Sequence, residues 1–419
     1  MGARLFAAIA VQMLNVAVGW QVYALTGRPF DLGLIGLSQF GPFVVLVLVA
    51  GHAADHFDRR RIIIACHIVE MVCAGGLLAL TLAKTQVLWP ILVVMGLLGT
   101  ARAFRMPTSQ AVLVNLVPAE SFASAVALSS SGFHVAVIAG PTVGGLLYLL
   151  GPRVVHGTAL VLFLLAAVLM RLTGLAAQPS VSSRAVEAKG SREGKDAKPF
   201  WDGLRFVFSR PIVLGAISLD LFAVLFGGAT ALLPAYARDI LHVGPHGLGL
   251  LRTAPGVGAA LTAIVLAFRP MSRRVGHWMF GGVAAFGLAT ILFGLSAHFW
   301  VSLLALFVLG ASDMVSVYIR HLLVQMETPD SIRGRVSAVN GVFIGASNEL
   351  GEFESGTTAG WFGLVPAVVV GGVATLAVVA LWMLLFPVLR TMNEFPPIVG
   401  ERGERDERDQ RGERGERDG

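Results

Sequence analysis

The sequence predicts an all-α polytopic membrane protein with twelve transmembrane helices in two pseudo-symmetric six-helix bundles. Hydrophobic residues form 55% of the 419-residue chain and charged residues only 14%, against about 25% charged residues in an average soluble protein. The apolar residues fall into long runs, each close to the roughly 20 residues with which a helix crosses the hydrocarbon core. The basic residues gather in alternate connections between these runs, which is the charge pattern that sets membrane topology.

Twelve apolar runs are expected to span the membrane, at residues 4–25, 32–52, 62–83, 87–104, 121–149, 154–174, 211–237, 246–268, 277–297, 299–325, 334–362 and 364–388. The turn at residues 51–61 fixes the topology, because it joins two of these runs and ends in three consecutive arginines. Its positive charge predicts a cytoplasmic position. Arg102 and Arg105 after span 4 and the other basic connections then fall on the same side, so both termini are expected in the cytoplasm. The net charge of +6 is thus a topology signal and does not indicate nucleic-acid binding.

The chain divides into two halves of the same organisation. An offset of 211 residues lays Gly140 on Gly351, Gly145 on Gly356 and each span on its counterpart. We expect an N-terminal bundle at residues 1–174, a cytoplasmic linker at 175–199, a C-terminal bundle at 200–390 and a disordered charged tail at 391–419. Residues 200–208 are amphipathic and are expected to lie at the membrane interface before span 7.

Several motifs resemble the major facilitator superfamily. The 51–61 turn is similar to its signature between spans 2 and 3, with Asp58 where glycine is usual, and residues 140–145 (Gly-Pro-Thr-Val-Gly-Gly) resemble the antiporter motif of its exporters. Residues 20–27, 329–340 and 348–356 resemble the enterobactin-exporter-like branch, also called transmembrane secretion effectors. The resemblance covers about residues 10–388 and implies a secondary transporter that works by alternating access. The loop after span 8 keeps two arginines but has no aspartate, so the second copy of the signature is degraded.

The resemblance implies a conformational latch at the cytoplasmic face, in which salt bridges hold the outward-facing state closed. The expected members are Gly51, Asp55, Arg59, Arg102, Arg333 and Arg335. The alternatives are that Asp55 caps the helix that follows it and that the arginines of the turn only anchor the topology.

Small residues allow close helix approach in bilayers, and an internal proline bends a helix. We therefore expect packing or hinge positions at Gly140, Pro141, Gly144, Gly145, Gly351 and Gly356.

Intramembrane carboxylates are costly and tend to be functional. Because loss of water disfavours the charged form, such groups can take up and release protons near neutral pH. The candidates for proton coupling are Asp220, Asp313, Glu349 and Glu352. One alternative is a static salt-bridge stripe on the helix face shared by Asp313, Arg320 and Glu327. Another is a position of Glu352 and Glu354 beyond the hydrocarbon on the outer face. For Glu70 in span 3, a structural role is favoured over coupling.

Uncharged polar residues within the spans are expected to line a substrate cavity, with interhelical hydrogen bonds as the alternative. They are Gln12, Asn15, Gln39, Asn340 and Asn348. His134 and His321 have no second ligand at metal spacing, so no metal and no cofactor are expected. The chain has no Walker-type sequence and no nucleophile–base pair, which argues against ATP-driven transport and against an enzyme.

The sequence thus predicts a monomeric antiporter of the bacterial plasma (inner) membrane, driven by protons. By the resemblance, its solute is a siderophore or a lipophilic, drug-like organic compound. The alternatives are a proton-coupled importer and a membrane receptor or scaffold that transports nothing.

Overall fold

The computed structural model describes residues 2–116, 122–172, 199–329 and 332–396, and these residues form helices and turns without a β-strand. The long helices are α1 (Gly2–Thr26), α2 (Pro29–His56), α3 (Arg59–Leu82), α4 (Trp89–Leu116), α5 (Phe122–Tyr148), α6 (Pro152–Leu172), α7 (Pro199–Ser209), α8 (Pro211–Phe226), α9 (Pro245–Phe268), α10 (Val275–Leu295), α11 (Phe299–Glu327), α12 (Arg333–Phe362) and α13 (Leu364–Leu385). Residues 175–198 of the predicted linker and most of the predicted tail (397–419) lie outside the described residues, and the last linker residue, Pro199, begins α7.

The predicted fold class is confirmed. Within the described ranges, eleven helical segments are long and apolar enough to cross a membrane. The twelfth expected span is α12, which has 30 residues but carries several charged and polar side chains. Glu349, Ser355 and Asn340 of this helix are buried, so several of its polar positions are enclosed by the protein.

Two expected spans differ from the observed helices. Span 4 was expected to end at residue 104, but α4 continues to Leu116, because Thr108 and Ser109 are buried within the protein. Span 7 was expected as one helix, but α8 ends at Phe226 and the chain continues through a 3₁₀ turn (Ala229–Leu232), a helical turn (Leu233–Ala235) and a π turn (Tyr236–Ile240). Gly227 and Gly228 lie at the break, where a Cβ on Gly228 would come within 2.6 Å of the Gly351 carbonyl oxygen.

The expected boundary of the charged tail at residue 391 also differs. Beyond the short helix Pro387–Arg390, the backbone carbonyl of Met392 accepts a hydrogen bond from Gly276 N at 2.9 Å. Met392 and Phe395 pack on the core formed by α8, α10, α11 and α13. Residues 391–396 are therefore part of the C-terminal half.

The helices form two halves, α1–α6 and α8–α13, whose buried apolar side chains make largely separate cores. Large apolar side chains such as Phe268, Trp300 and Leu384 are exposed on the outside, which is typical of helices in lipid. We call the end of the molecule with residues 57–61 and the start of α1 the basic end. We call the opposite end, with residues 27–28, 149–151 and 241–244, the closed end.

Candidate functional site

A cavity of about 410 Å³ lies between the two halves and opens toward the basic end. One face of α1 lines its full depth, from Arg4 in the first turn through Gln12 and Asn15 to Gly19. With Ala8, which also lines the cavity, these positions recur every three or four residues and so share one helix face. Gln39 of α2 lines the cavity as well. Three of the five expected cavity residues thus face a solvent-accessible space.

The other two expected cavity residues lie elsewhere. Asn340 is 7% exposed and is not part of the cavity wall. Asn348 is exposed and donates a hydrogen bond at 2.9 Å to the Ile344 carbonyl of its own helix. Neither side chain forms part of the cavity wall, although Asn348 lies one turn before Glu352, which does.

At the closed end, the two halves meet through pairs of glycines. A Cβ on Gly145 of α5 would lie 2.6 Å from the Pro245 carbonyl oxygen and 3.0 Å from Gly249 Cα, both in α9. A Cβ on Gly356 of α12 would lie 2.7 Å from Gly33 Cα in α2. The backbones therefore touch directly at two pseudo-equivalent places.

The remaining hinge candidates have other neighbours. Gly140 and Gly144 of α5 pack on Gln12 and Met13 of α1, and Gly351 packs on the end of α8, all within one half. Pro141 lies inside α5, and its carbonyl oxygen would be 2.7 Å from a Cβ on Gly249 of α9, across the interface.

A polar contact between α1 and the π turn also seals the closed end. The Tyr23 hydroxyl donates a hydrogen bond to the Asp239 carboxylate, and Arg238 Nη1 donates to the Tyr23 carbonyl at 3.0 Å. The Arg238 guanidinium carbon lies 5.7 Å from the centre of the Tyr23 ring. Sequence reasoning missed this group, for which the only signal was a charged pair at the end of an apolar run.

Two carboxylates expected in proton coupling face the cavity. Glu349 of α12 forms an ion pair with Arg102 of α4, so this pair joins the two halves. Arg102 lies inside the membrane-spanning part of α4 and not in the cytoplasmic connection that its charge predicted. Glu352 lies one turn further along α12, where it packs on Gly36 of α2 and lines the cavity.

The N-terminal half holds a second charged group beside the cavity. Glu70 is buried and accepts hydrogen bonds from Arg105 Nε at 2.8 Å and from the His67 ring at 2.9 Å. Arg105 was expected in a connection, like Arg102, but it too lies within α4.

The C-terminal half holds a buried cluster outside the main cavity. Asp220 of α8 forms an ion pair with Arg320 of α11, and both side chains are buried. Asp313 lies two helical turns before Arg320, and together with Asp220 and Ser316 it lines a small void of about 10 Å³. The structure thus brings Asp220 and Asp313 together around one arginine.

Of the expected latch residues, Arg102 joins the two halves through its ion pair with Glu349, whereas Arg333 and Arg335 contact groups of the C-terminal half. Arg335 pairs with Asp202 of α7 at 3.2 Å, and Arg333 Nη2 donates to the Thr328 carbonyl at 3.4 Å. Arg59 lies in the first turn of α3, whose N-cap is Asp58 and not Asp55. The side chains of Gly51 and Asp55 lie outside the described set.

In the described ranges, no three His, Cys, Asp or Glu side chains lie close enough together to hold a metal ion. Two helical halves with a charged cavity between them are typical of secondary transporters. A family model described as "transmembrane secretion effector" matches residues 2–397.

The chain therefore belongs to the transmembrane secretion effector family of the major facilitator superfamily. It is 26% identical over 405 residues to "Enterobactin exporter EntS" of Shigella boydii serotype 18 (strain CDC 3083-94 / BS512), covering 95% of this chain and 93% of the relative. Among solved structures, it resembles a bacterial homologue of the human lysosomal transporter Spinster (TM-score 0.69, 15% identity, 93% and 94% coverage). It also resembles the nucleoside transporter NupG (TM-score 0.65, 14% identity, 92% and 97% coverage). The family resemblance seen in the sequence is confirmed, and the relatives are transporters and not enzymes.

Proposed function

We propose that the protein is a proton-coupled antiporter of the bacterial inner membrane that exports a siderophore or a hydrophobic, drug-like solute. Export of a small organic molecule is supported by the family to which the chain belongs and by a relative that is named an enterobactin exporter. The cavity, closed at one end by direct helix contacts between the halves, supports alternating access. The observation that carries proton coupling is the buried cluster of Asp220, Asp313 and Arg320.

The basic end faces the cytoplasm in this proposal. Positive charge is retained on the cytoplasmic side of membrane proteins, and the three arginines at 59–61 begin α3 at this end. The start of α1 lies at the same end, as does the short helix Pro387–Arg390 after α13, so both termini are cytoplasmic. The cavity is then open to the cytoplasm, which is the side from which an exporter takes up its solute.

The proposed proton site follows from charge balance. Arg320 can neutralise one carboxylate, and Asp220 already forms that ion pair. Asp313 adds a second carboxylate beside the same void. Because an uncompensated charge is expensive inside a membrane protein, a single proton on the pair of aspartates balances the cluster. Glu349 and Glu352 are further candidates, since they face the cavity directly.

The position of Asp220 also provides a link to the closed end. Its helix α8 continues through the turns at 229–240, which contact α1 through Pro234 near Gly19 and through Asp239 at Tyr23. A change of charge at Asp220 therefore acts on the segment that must leave α1 when the closed end opens. Protonation at this cluster would in this way favour one state of the transporter over the other.

The proposal can be tested in proteoliposomes with an imposed proton gradient, by following a catecholate siderophore and a lipophilic dye. We expect wild type to move at least one of them against its gradient, toward the side corresponding to the cell exterior. Asp220→Asn should lose this driven export and keep solute exchange at zero gradient, because exchange needs no proton.

The matched control is Glu394→Gln, which removes an exposed carboxylate that is not part of the cluster and should leave both activities unchanged. Driven export that persists in Asp220→Asn would reject the cluster as the coupling site. Export by wild type that ignores the gradient would reject antiport, and uptake in the opposite direction would favour an importer.

A further inference from the structure

We propose that Arg252 binds an anionic group of the transported solute at the closed end of the cavity, so that the preferred substrates are organic anions. The proposal rests on the proposed transport function but concerns a residue that the coupling mechanism does not use. Arg252 lies on α9, roughly 10 Å along the helix from its start at the closed end. It lines the cavity at the depth of Gly19, where a Cβ would come within 4.0 Å of Arg252 Nη2.

Arg252 differs from the other arginines in the deeper part of the cavity wall. Arg102 and Arg105 each form an ion pair with a glutamate. Arg252 has no carboxylate oxygen within 4 Å among the residues that the structure describes, and its Nε is buried without a hydrogen-bond acceptor. A buried donor without a partner costs free energy, and an arginine in a water-filled cavity of a membrane protein marks a ligand path.

The shape of the surroundings favours an anion at Arg252 over a cation at the neighbouring Glu352. Glu352 packs against the α2 backbone at Gly36. Its carboxylate and the Arg252 guanidinium attract each other electrostatically without forming an ion pair. The guanidinium is planar and offers paired N–H donors, the geometry that binds carboxylates and similar oxyanions. Apolar side chains such as Leu32 and Ile35 line the same region, which fits a solute with an apolar body and one anionic end.

A direct binding experiment separates this proposal from transport. Purified protein in detergent is titrated with anthracene carboxylate and with its uncharged methyl ester, and binding is followed by the fluorescence of the probe. Wild type should bind the carboxylate more tightly than the ester. Arg252→Gln should weaken binding of the carboxylate about 30-fold or more, as expected for loss of one partner of a desolvated charge pair, and should change ester binding little.

Three further variants sharpen the test. Arg252→Lys should retain part of the preference for the carboxylate, because it keeps the positive charge. Glu352→Gln should strengthen carboxylate binding about fivefold, since it removes the opposing negative charge. Arg390→Gln, which removes an exposed arginine away from the cavity, should change nothing.

A wild-type protein that binds the carboxylate no better than the ester would overturn the proposal, as would equal losses for both probes in Arg252→Gln. Neither result depends on proton coupling. Conversely, absence of driven export in proteoliposomes, with anion binding at Arg252 intact, would reject the proposed function and leave this binding site standing.

Discussion

Each half of the molecule buries a cluster of charged side chains, and the two clusters differ in the ratio of acidic to basic groups. In the N-terminal half, one carboxylate, Glu70, has two partners, Arg105 and His67. In the C-terminal half, two carboxylates, Asp220 and Asp313, lie beside one ion-pairing arginine, Arg320. A carboxylate with sufficient partners stays charged and holds helices together, whereas a cluster with one carboxylate in excess favours uptake of a proton. From this comparison we propose a structural role for the first cluster and proton coupling for the second.

The largest effect on stability is expected for Glu70→Gln. This change leaves Arg105 and His67 without their carboxylate, and loss of one partner of a buried pair costs about 3 kcal/mol. The expected result is a clear fall in the melting temperature of the detergent-solubilised protein. A melting temperature equal to that of wild type would show that the Glu70 cluster does not hold α3 to α4.

A smaller loss of stability is expected for Asp220→Asn, of about 1 kcal/mol. The asparagine oxygen can still accept a hydrogen bond from Arg320, and Asp313 remains to balance its charge. The same melting experiment, run beside Glu70→Gln, checks the order of the two variants. If Asp220→Asn were the more damaging one, the second cluster would be a static salt bridge.

The smallest effect on stability is expected for Asp313→Asn, within about 0.5 kcal/mol of wild type. This substitution removes the carboxylate in excess and leaves the ion pair between Asp220 and Arg320. Its melting temperature should match that of Glu394→Gln, the surface control. A strong loss of stability would mean that Asp313 has a structural partner of its own.

Much of the fold followed from the sequence, because span length and charge distribution respond directly to the bilayer. The faces of α1 were also predictable in part, since Gln12 and Asn15 lie on the one helix face that lines the cavity. The sequence did not predict which polar residues of α12 line the cavity, and neither Asn340 nor Asn348 is part of its wall. A helix that is polar on several faces gives no periodic signal for the side that packs.

The positions and partners of the charged side chains were the least predictable part of the site. Arg102 and Arg105 were assigned to a connection because arginine near the end of an apolar run usually marks a membrane face. The structure places both inside α4, opposite glutamates that are distant in sequence. Arg252 gave no sequence signal, because its neighbourhood exists only when α1, α9 and α12 come together.

The central claim is that the unbalanced cluster of the C-terminal half couples proton movement to export. The most direct measurement compares gradient-driven export with exchange at zero gradient in proteoliposomes that contain wild type or Asp313→Asn. The account predicts that Asp313→Asn loses driven export while exchange persists and the melting temperature is unchanged. Driven export by Asp313→Asn at the wild-type rate would contradict the claim.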